Sequence, residues 1–332
     1  MLSNGSSPAA PAVRRRRGGG RGRSPGTGGA RGSLAFFGFV SPWLLGTAAL
    51  TLFPVGYALY LSFTNWNGTT AFKPWAGLDN YRAVLTSADT LQSLSKTLLL
   101  AVIVVPITII GSLVLAILLN KQVPGRTFLR TLIYIPAIVP PVAGALIWKV
   151  VFDKNSGAAN RFLEVFGVGA VSWLTGNTAF VVLIVVMLWA LGAGIIINLA
   201  ALQTVPAEQV EAAKMDGAGA FATFRHVTLP AISPILLFQT VLVTITTLQT
   251  FVPAILLSPI SDSATVTNIQ PANRVYMVDV YEQFFDYSKY GYGSAMLVVF
   301  FIVILILTVV IFKLVGRSVF YTVDPTETRK AG

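Results

Sequence analysis

Six long apolar segments constrain this chain more than any other feature of its sequence. A membrane-spanning helix needs roughly 20 predominantly apolar residues, and six segments meet that length: 34–63, 98–120, 128–152, 179–202, 230–259 and 294–315. Charged residues make up only 11% of the chain, whereas soluble globular proteins carry about 25%. The sequence therefore predicts an all-α membrane protein, with six transmembrane helices in one domain over residues 34–316.

Both ends of the chain are predicted to be tails outside that domain. Residues 1–33 are mostly Gly, Ser, Pro and Arg, a composition that cannot bury enough apolar surface to fold. We expect a disordered basic tail there, and a second short tail at residues 317–332. The arginines precede the first span, so the positive-inside rule places the N-terminus in the cytoplasm. Because six spans cross the membrane an even number of times, the C-terminus is predicted on the same side. In that position the arginines favour anionic lipid headgroups as partners over nucleic acid.

Prolines interrupt several of the predicted spans. Each proline removes a backbone hydrogen bond, which neighbouring helices must replace in lipid. The positions are Pro42, Pro54, Pro106, Pro136, Pro140, Pro141 and Pro253. Kinked spans of this kind favour a bundle that surrounds a path over a simple anchor.

Several kinds of chemistry are excluded by residue type. The chain has no cysteine and one histidine, His226, so thiolate and multi-histidine metal sites are excluded. It has no phosphate-binding P-loop, and we expect no catalytic residue and no ATP hydrolysis by this chain. A membrane enzyme would need clustered His, Asp or Glu at the membrane face, and an ion-coupled carrier an intramembrane carboxylate. The six segments contain no carboxylate.

The segment between the fourth and fifth spans is polar and lies on the predicted inner face. Its Ala, Glu, Gln and Lys residues predict a helix over Ala207–Met215, with Pro206 at the first turn. Glu208 and Glu211 lie near the positive end of that helix dipole. Gly217 is predicted to end the helix in the left-handed conformation.

Beyond Gly217, residues 218–224 are predicted to form a second short helix. Leu229 and Pro230 would then turn the chain back into the membrane. The result is an exposed helix–turn–helix on the inner face, which suits docking into a groove of a soluble partner.

This loop resembles the EAA signature of ABC-importer permeases. The matching residues are Glu211, Ala212, Ala213, Gly217, Val227, Leu229 and Pro230, with Val227 where the family usually has Ile. The resemblance implies that loop 203–230 is the coupling element that docks on the ATPase subunit. It assigns that role to Glu211, Ala212, Ala213 and Gly217, and we add their neighbours Glu208 and Asp216.

Three further motifs of this chain resemble motifs of the maltose- and glycerophosphate-type branch of carbohydrate permeases. They are AGLDNY at 76–81, RTLIYIP at 130–136 with Ile147 and Trp148, and LAALQ at 199–203. Residues 258–262 depart from the Gly-Gly-Pro that the family often has after the fifth span.

The resemblance implies the permease subunit of an ATP-driven importer for a sugar or oligosaccharide in a bacterial cell membrane. Its alternative solute is glycerol-3-phosphate or a glycerophosphodiester. The implied partners are a second homologous permease, two ATP-binding subunits that hold ATP and Mg²⁺, and an extracytoplasmic solute-binding protein. ATPase closure would then switch the cavity between inward- and outward-facing states.

The fifth span is the most polar and is the candidate solute path. Thr246, Gln249 and Thr250 have the i, i+3, i+4 spacing that places residues on one helix face, and Trp189 in the fourth span offers an aromatic plane. In the maltose-type permease, positions matching Gly192, Thr246, Gln249 and Thr250 line the solute site. Hydrogen bonding between helices is the open alternative for these polar side chains.

Overall fold

The computed structural model describes residues 30–121, 124–258 and 269–316, with side chains from Phe36 onward. The predicted tails, 1–33 and 317–332, lie outside these ranges except for residues 30–33, which are helical. By internal contacts the chain divides into residues 1–56 and 57–332. The described part of the first unit holds α1 (Ala30–Thr47), a π-helical turn (Ala48–Leu52) and the start of α2 (Phe53–Ser62).

The regular secondary structure in the described part of the second unit is helical, apart from one isolated β-bridge between Thr64 and Trp75. Its helices are α3 (Asp79–Thr86), α4 (Ala88–Asn120), α5 (Arg126–Ile138), α6 (Pro141–Val151), α7 (Ala158–Glu164), α8 (Asn177–Trp189), α9 (Gly192–Gln203), α10 (Ala207–Met215), α11 (Ala220–Thr223), α12 (Leu229–Leu248), α13 (Val252–Leu256), α14 (Tyr276–Phe285) and α15 (Tyr290–Val315).

Each of the six predicted apolar segments is mainly helical over its described residues, which confirms the predicted class. Five are helical stretches long and apolar enough to cross a membrane: Phe36–Ser62, Ala88–Asn120, Asn177–Gln203, Ala220–Leu256 and Tyr290–Val315. The sixth is the pair α5 and α6, which passes the same test only when its two helices are taken together.

The third span, predicted over 128–152 with prolines that interrupt it, consists of two helices, α5 and α6. Helices α5 and α6 meet at a bend of 100°. Val139 is extended there, with φ −69° and ψ 127°, because the ring of Pro140 disfavours a helical residue before it. Pro141 has no amide hydrogen and begins α6, where none is required.

The second span begins at Ala88, ten residues before the predicted start at 98. Its N-terminal turns are polar, so hydropathy does not detect them. The Ser87 side chain caps this end by accepting a hydrogen bond from the Thr90 amide at 3.3 Å. The helix therefore extends beyond the apolar segment.

The fifth span differs from its prediction at both ends. The predicted turn at Leu229 and Pro230 is absent, since α11, a π-helical turn (Phe224–Thr228) and α12 are continuous. Pro230 has no amide hydrogen, and the wider π turn before it lets the helix continue. At the other end, α12 stops at Leu248 and α13 begins only at Val252.

Helix α4 lies at the centre of the second unit, because it contributes to all three apolar clusters of the described core. Leu100 and Val104 pack with residues of α8 and α13. Ala101 and Val105 face α12, α14 and α15. Ala116 and Leu119 pack against α9.

Helix α14 lies between the fifth and sixth predicted spans, and an ion-pair cluster stabilises its first turns. Arg274 contacts Asp279 at 3.0 Å and Glu282 at 2.7 Å, and both carboxylates are buried. Ser93 of α4 donates to Asp279 at 3.1 Å. Burial raises the pKa of Glu282. Burial opposes the charge of Arg274, but the two carboxylates raise the pKa of Arg274 overall, so it stays cationic and ties α14 to the segment just before it.

Candidate functional site

The helix predicted in the loop between the fourth and fifth spans is present with its predicted bounds, Ala207–Met215. Pro206 precedes it in an extended conformation, with φ −60° and ψ 126°. Glu208 lies in the first turn and Lys214 in the last, so both charges complement the helix dipole. None of the nine residues of α10 is buried.

Gly217 adopts the predicted left-handed conformation, with φ +83°. The Ala218 amide donates to the Ala213 carbonyl at 2.9 Å, and the Gly217 amide donates to the Lys214 carbonyl at 3.0 Å. These two bonds form a Schellman motif, which satisfies carbonyls at the helix end. A Cβ added at Gly217 would have no atom within 4 Å, so the constraint on this position is conformational and not steric.

Most of the predicted coupling residues are exposed. Glu208, Glu211, Ala212, Asp216 and Gly217 are exposed, and Ala213 is half-buried. Sequence reasoning missed two apolar side chains beside them, Met215 and Phe221, which are 88% and 74% exposed. The sequence feature that could have identified them is a large apolar residue in an otherwise polar loop. A surface that combines carboxylates with exposed apolar side chains is suited to binding another protein.

A cavity of about 800 Å³ lies where α12 ends. Thr246, Gln249 and Thr250 line it together, so the structure joins these three predicted path residues. Thr246 and Gln249 are exposed. Thr250 is buried, and its hydroxyl lies 3.5 Å from the Met187 sulfur.

The backbone breaks at this cavity. Gln249 is the first residue after α12, and Phe251 has φ −140° and ψ −60°, outside the helical region. Non-helical backbone at membrane depth is tolerated where it is buried in protein or lines a cavity.

Other polar residues of α12 make the helix contacts of the alternative hypothesis. Gln239 is 2% exposed, and its Nε2 donates to the Ser112 hydroxyl of α4 at 3.3 Å. Asn198 of α9 donates to the same hydroxyl at 2.9 Å. Thr240 donates to the Leu236 carbonyl within its own helix. Gln239 therefore joins α12 to α4 and Thr240 bonds within its own helix, whereas Thr246, Gln249 and Thr250 line the cavity.

Trp189 and Gly192 do not line this cavity. The Trp189 ring packs edge-on against Trp148, with centroids 5.8 Å apart, and it lies against Gly144. Gly192 begins α9 at the break after α8 and packs against the backbone of Ile133 in α5. The structure thus places these two predicted path residues at a junction between helices.

Most of the cavity wall comes from α14 and α15, which sequence reasoning did not include in the path. The lining residues from these helices are Met277, Val280, Tyr281, Phe284, Phe285, Leu297, Phe300, Phe301 and Ile304. The available signal was the aromatic content of segment 276–285. None of the described residues that line the cavity is charged.

The structure has six apolar helical segments, an exposed loop helix that ends at a glycine, and a cavity with no charge among its described lining residues. Together these features define a polytopic membrane transport subunit. The chain belongs to the family of binding-protein-dependent transport system inner membrane components, whose sequence profile matches residues 108–321. It is therefore an inner-membrane permease component of an ABC importer.

Curated relatives resemble this chain over most of their length. It is 33% identical to the probable ABC transporter permease protein YesP of Bacillus subtilis, over 87% of this chain and 93% of that protein. It is 32% identical to the trehalose/maltose transport system permease protein MalF of Thermococcus litoralis, over 74% of this chain and 81% of that protein.

A solved structure has the same fold. A chain of a bacterial ABC transporter involved in the import of the acidic polysaccharide alginate superimposes with a TM-score of 0.74 at 20% identity. The match covers 86% of this chain and 96% of that chain.

Proposed function

We propose that this permease carries a neutral sugar or oligosaccharide through the cavity at Thr246, Gln249 and Thr250. One observation carries the proposal: an exposed amide and an exposed hydroxyl face a cavity of about 800 Å³ with no charge among its described lining residues. Binding sites of this kind hold a small number of polar groups in a largely apolar wall. The similarity to a trehalose/maltose permease and to the multiple sugar-binding transport system permease MsmF of Streptococcus mutans supports the same solute class.

The alternative solute is glycerol-3-phosphate or a glycerophosphodiester. The chain is 28% identical to the sn-glycerol-3-phosphate permease UgpA of Pectobacterium atrosepticum. A phosphate group in a low-dielectric cavity requires a cationic partner, and the described lining contains none. The cavity therefore favours the neutral solute.

The proposed assembly has two such permeases, two ATPase subunits and an extracytoplasmic solute-binding protein. ATP and Mg²⁺ are held by the ATPase subunits, and both termini of this chain lie in the cytoplasm. A solved structure of the alginate transporter is in complex with its periplasmic protein, which supports the binding-protein partner. The exposed surface of Glu208, Glu211, Ala212, Ala213, Asp216 and Gly217 is the proposed contact with an ATPase subunit.

A continuous helical path supports the coupling step. Helix α11, the π turn and α12 run from Ala220 to Leu248, a length of about 43 Å at the usual rise per residue. One end follows the coupling helix, and the other end carries Thr246 and Gln249. Displacement of the loop by the closing ATPases would move the cavity wall through this helix, a rigid-element route between distant sites.

The proposal is tested with the complete importer in membrane vesicles. Uptake is measured for a panel of radiolabelled neutral di- and trisaccharides, including trehalose and maltose, and for sn-glycerol-3-phosphate. We expect ATP-dependent uptake of at least one saccharide and none of the phosphate ester. Uptake of the phosphate ester alone would overturn the sugar assignment.

A further inference from the structure

The cavity wall contains an aromatic surface on α14, outside the six spans. The Tyr281 ring lies 5.0 Å from the Phe251 ring and 4.6 Å from the Phe285 ring, measured between centroids. All three rings line the same cavity as Thr246 and Gln249. The aromatic surface and the exposed polar groups therefore face one volume.

The Tyr281 hydroxyl differs from the hydroxyls of Tyr276, Tyr81 and Tyr292, which are hydrogen-bonded within the protein. Tyr276 donates to the Met296 carbonyl at 2.9 Å, Tyr81 pairs with the Ser62 hydroxyl, and Tyr292 pairs with Thr90. Tyr281 is half-buried, and its hydroxyl makes no hydrogen bond to any residue that the structure describes. A tyrosine in a cavity wall can contact a ligand with both its apolar ring and its polar hydroxyl.

Helix α14 holds this ring in a fixed position. Besides the ion pairs of Arg274, the Tyr276 amide donates to the Thr97 hydroxyl of α4 at 2.8 Å. Lys96 of α4 donates to the Pro271 carbonyl just before α14. These contacts fasten the N-terminal half of α14 and the segment before it to α4, so the helix that carries Tyr281 is preorganised and little ordering is needed when a ligand binds.

We propose that Tyr281 is the stacking platform of the solute site. A pyranose ring has an apolar face of C–H groups and a polar rim of hydroxyls. The apolar face would lie on the Tyr281 ring, while the rim hydroxyls bond to Gln249, Thr246 and the Tyr281 hydroxyl. The aromatic plane of the site thus comes from α14 and not from Trp189. This inference rests on the proposed function, since it requires a ligand with such a face.

The test uses the complete importer in vesicles, with the saccharide that wild type takes up fastest in the panel. Tyr281→Leu removes the aromatic face but keeps most of the bulk, and Tyr281→Phe keeps the face and removes the hydroxyl. Tyr287→Leu is the matched control, because Tyr287 is an exposed tyrosine just beyond α14 that does not line the cavity. Phe285→Leu is a second variant on the wall, at an exposed side chain whose replacement does not endanger folding.

We expect Tyr281→Leu to raise the KM for uptake about tenfold, the scale of one lost aromatic contact. Tyr281→Phe should raise it about threefold, the scale of one neutral hydrogen bond. Phe285→Leu should raise the KM, and Tyr287→Leu should leave it unchanged. Wild-type KM values for both Tyr281→Leu and Phe285→Leu would overturn the platform while leaving the sugar assignment intact. Absence of saccharide uptake by wild type would overturn the sugar assignment and the platform with it.

Discussion

Gly192 packs against the backbone carbonyl of Ile133 so closely that a Cβ atom there would approach the oxygen to less than 3.0 Å. Real Cβ atoms essentially never come this close to a backbone atom. The contact brings the start of α9 against α5, the first half of the bent span. Gly192 is therefore required by helix packing, whatever its relation to the solute.

We predict that Gly192→Ala destabilises the permease by about 1–3 kcal/mol, because the added methyl group must push two helices apart. The measurement is thermal unfolding of the purified subunit in detergent. Gly111→Ala is the matched control, since a Cβ at this glycine in α4 meets nothing within 4 Å. Equal melting temperatures for the two variants would contradict the packing argument.

Gly217→Asp should abolish transport with the membrane domain still inserted. A side chain at a left-handed residue costs roughly 1 kcal/mol and redirects the following segment. Gly219→Asp is the control, because Gly219 has φ −68°, open space around it and a helix N-cap position that favours aspartate. Uptake and pull-down of the ATPase are measured together, and normal values for Gly217→Asp would refute the coupling role.

Glu211→Lys should weaken ATPase pull-down through charge reversal on the coupling surface. Glu211 is exposed, so the free energy of unfolding should change by no more than about 0.5 kcal/mol. A retained ATPase together with unchanged uptake would remove Glu211 from the proposed contact.

Gln249→Ala should raise the KM for solute uptake while co-purification of the complex stays normal. The Gln249 side chain faces the cavity, and its loss removes hydrogen bonds worth about 0.5–1.5 kcal/mol each. Thr240→Ala is the comparison, because its hydroxyl bonds only to the Leu236 carbonyl of the same helix among the described residues. If both variants have wild-type kinetics, Gln249 does not contact the solute.

Ser112→Ala should lower the free energy of unfolding by about 1–3 kcal/mol, because it leaves two buried amide groups without their acceptor. Those groups belong to Asn198 and Gln239. Ser95→Ala on the same helix is the control, since Ser95 is exposed and bonds to a carbonyl of its own helix. A melting temperature equal to that of the control would show that this junction is not stabilising.

Local sequence properties predicted much of this protein. The six apolar segments follow from the length and hydropathy that a bilayer imposes on any spanning helix. Helix α10 and the left-handed Gly217 follow from residue propensities that act within a few positions. No contact with distant residues is needed to specify them, and both agree with the structure.

The tertiary structure alone decided which polar side chains of the fifth span join helices and which face the cavity. Gln239 and Gln249 are chemically the same, but Gln239 meets Ser112, which is 127 residues away in the chain, whereas Gln249 follows the break at the end of α12. It also placed α14 on the cavity wall, through an ion-pair cluster and hydrogen bonds to α4. Such contacts depend on the packing of segments that are far apart in the sequence. Hydropathy and local propensity describe each segment alone, so they determine which residues form helices but not which helix faces meet.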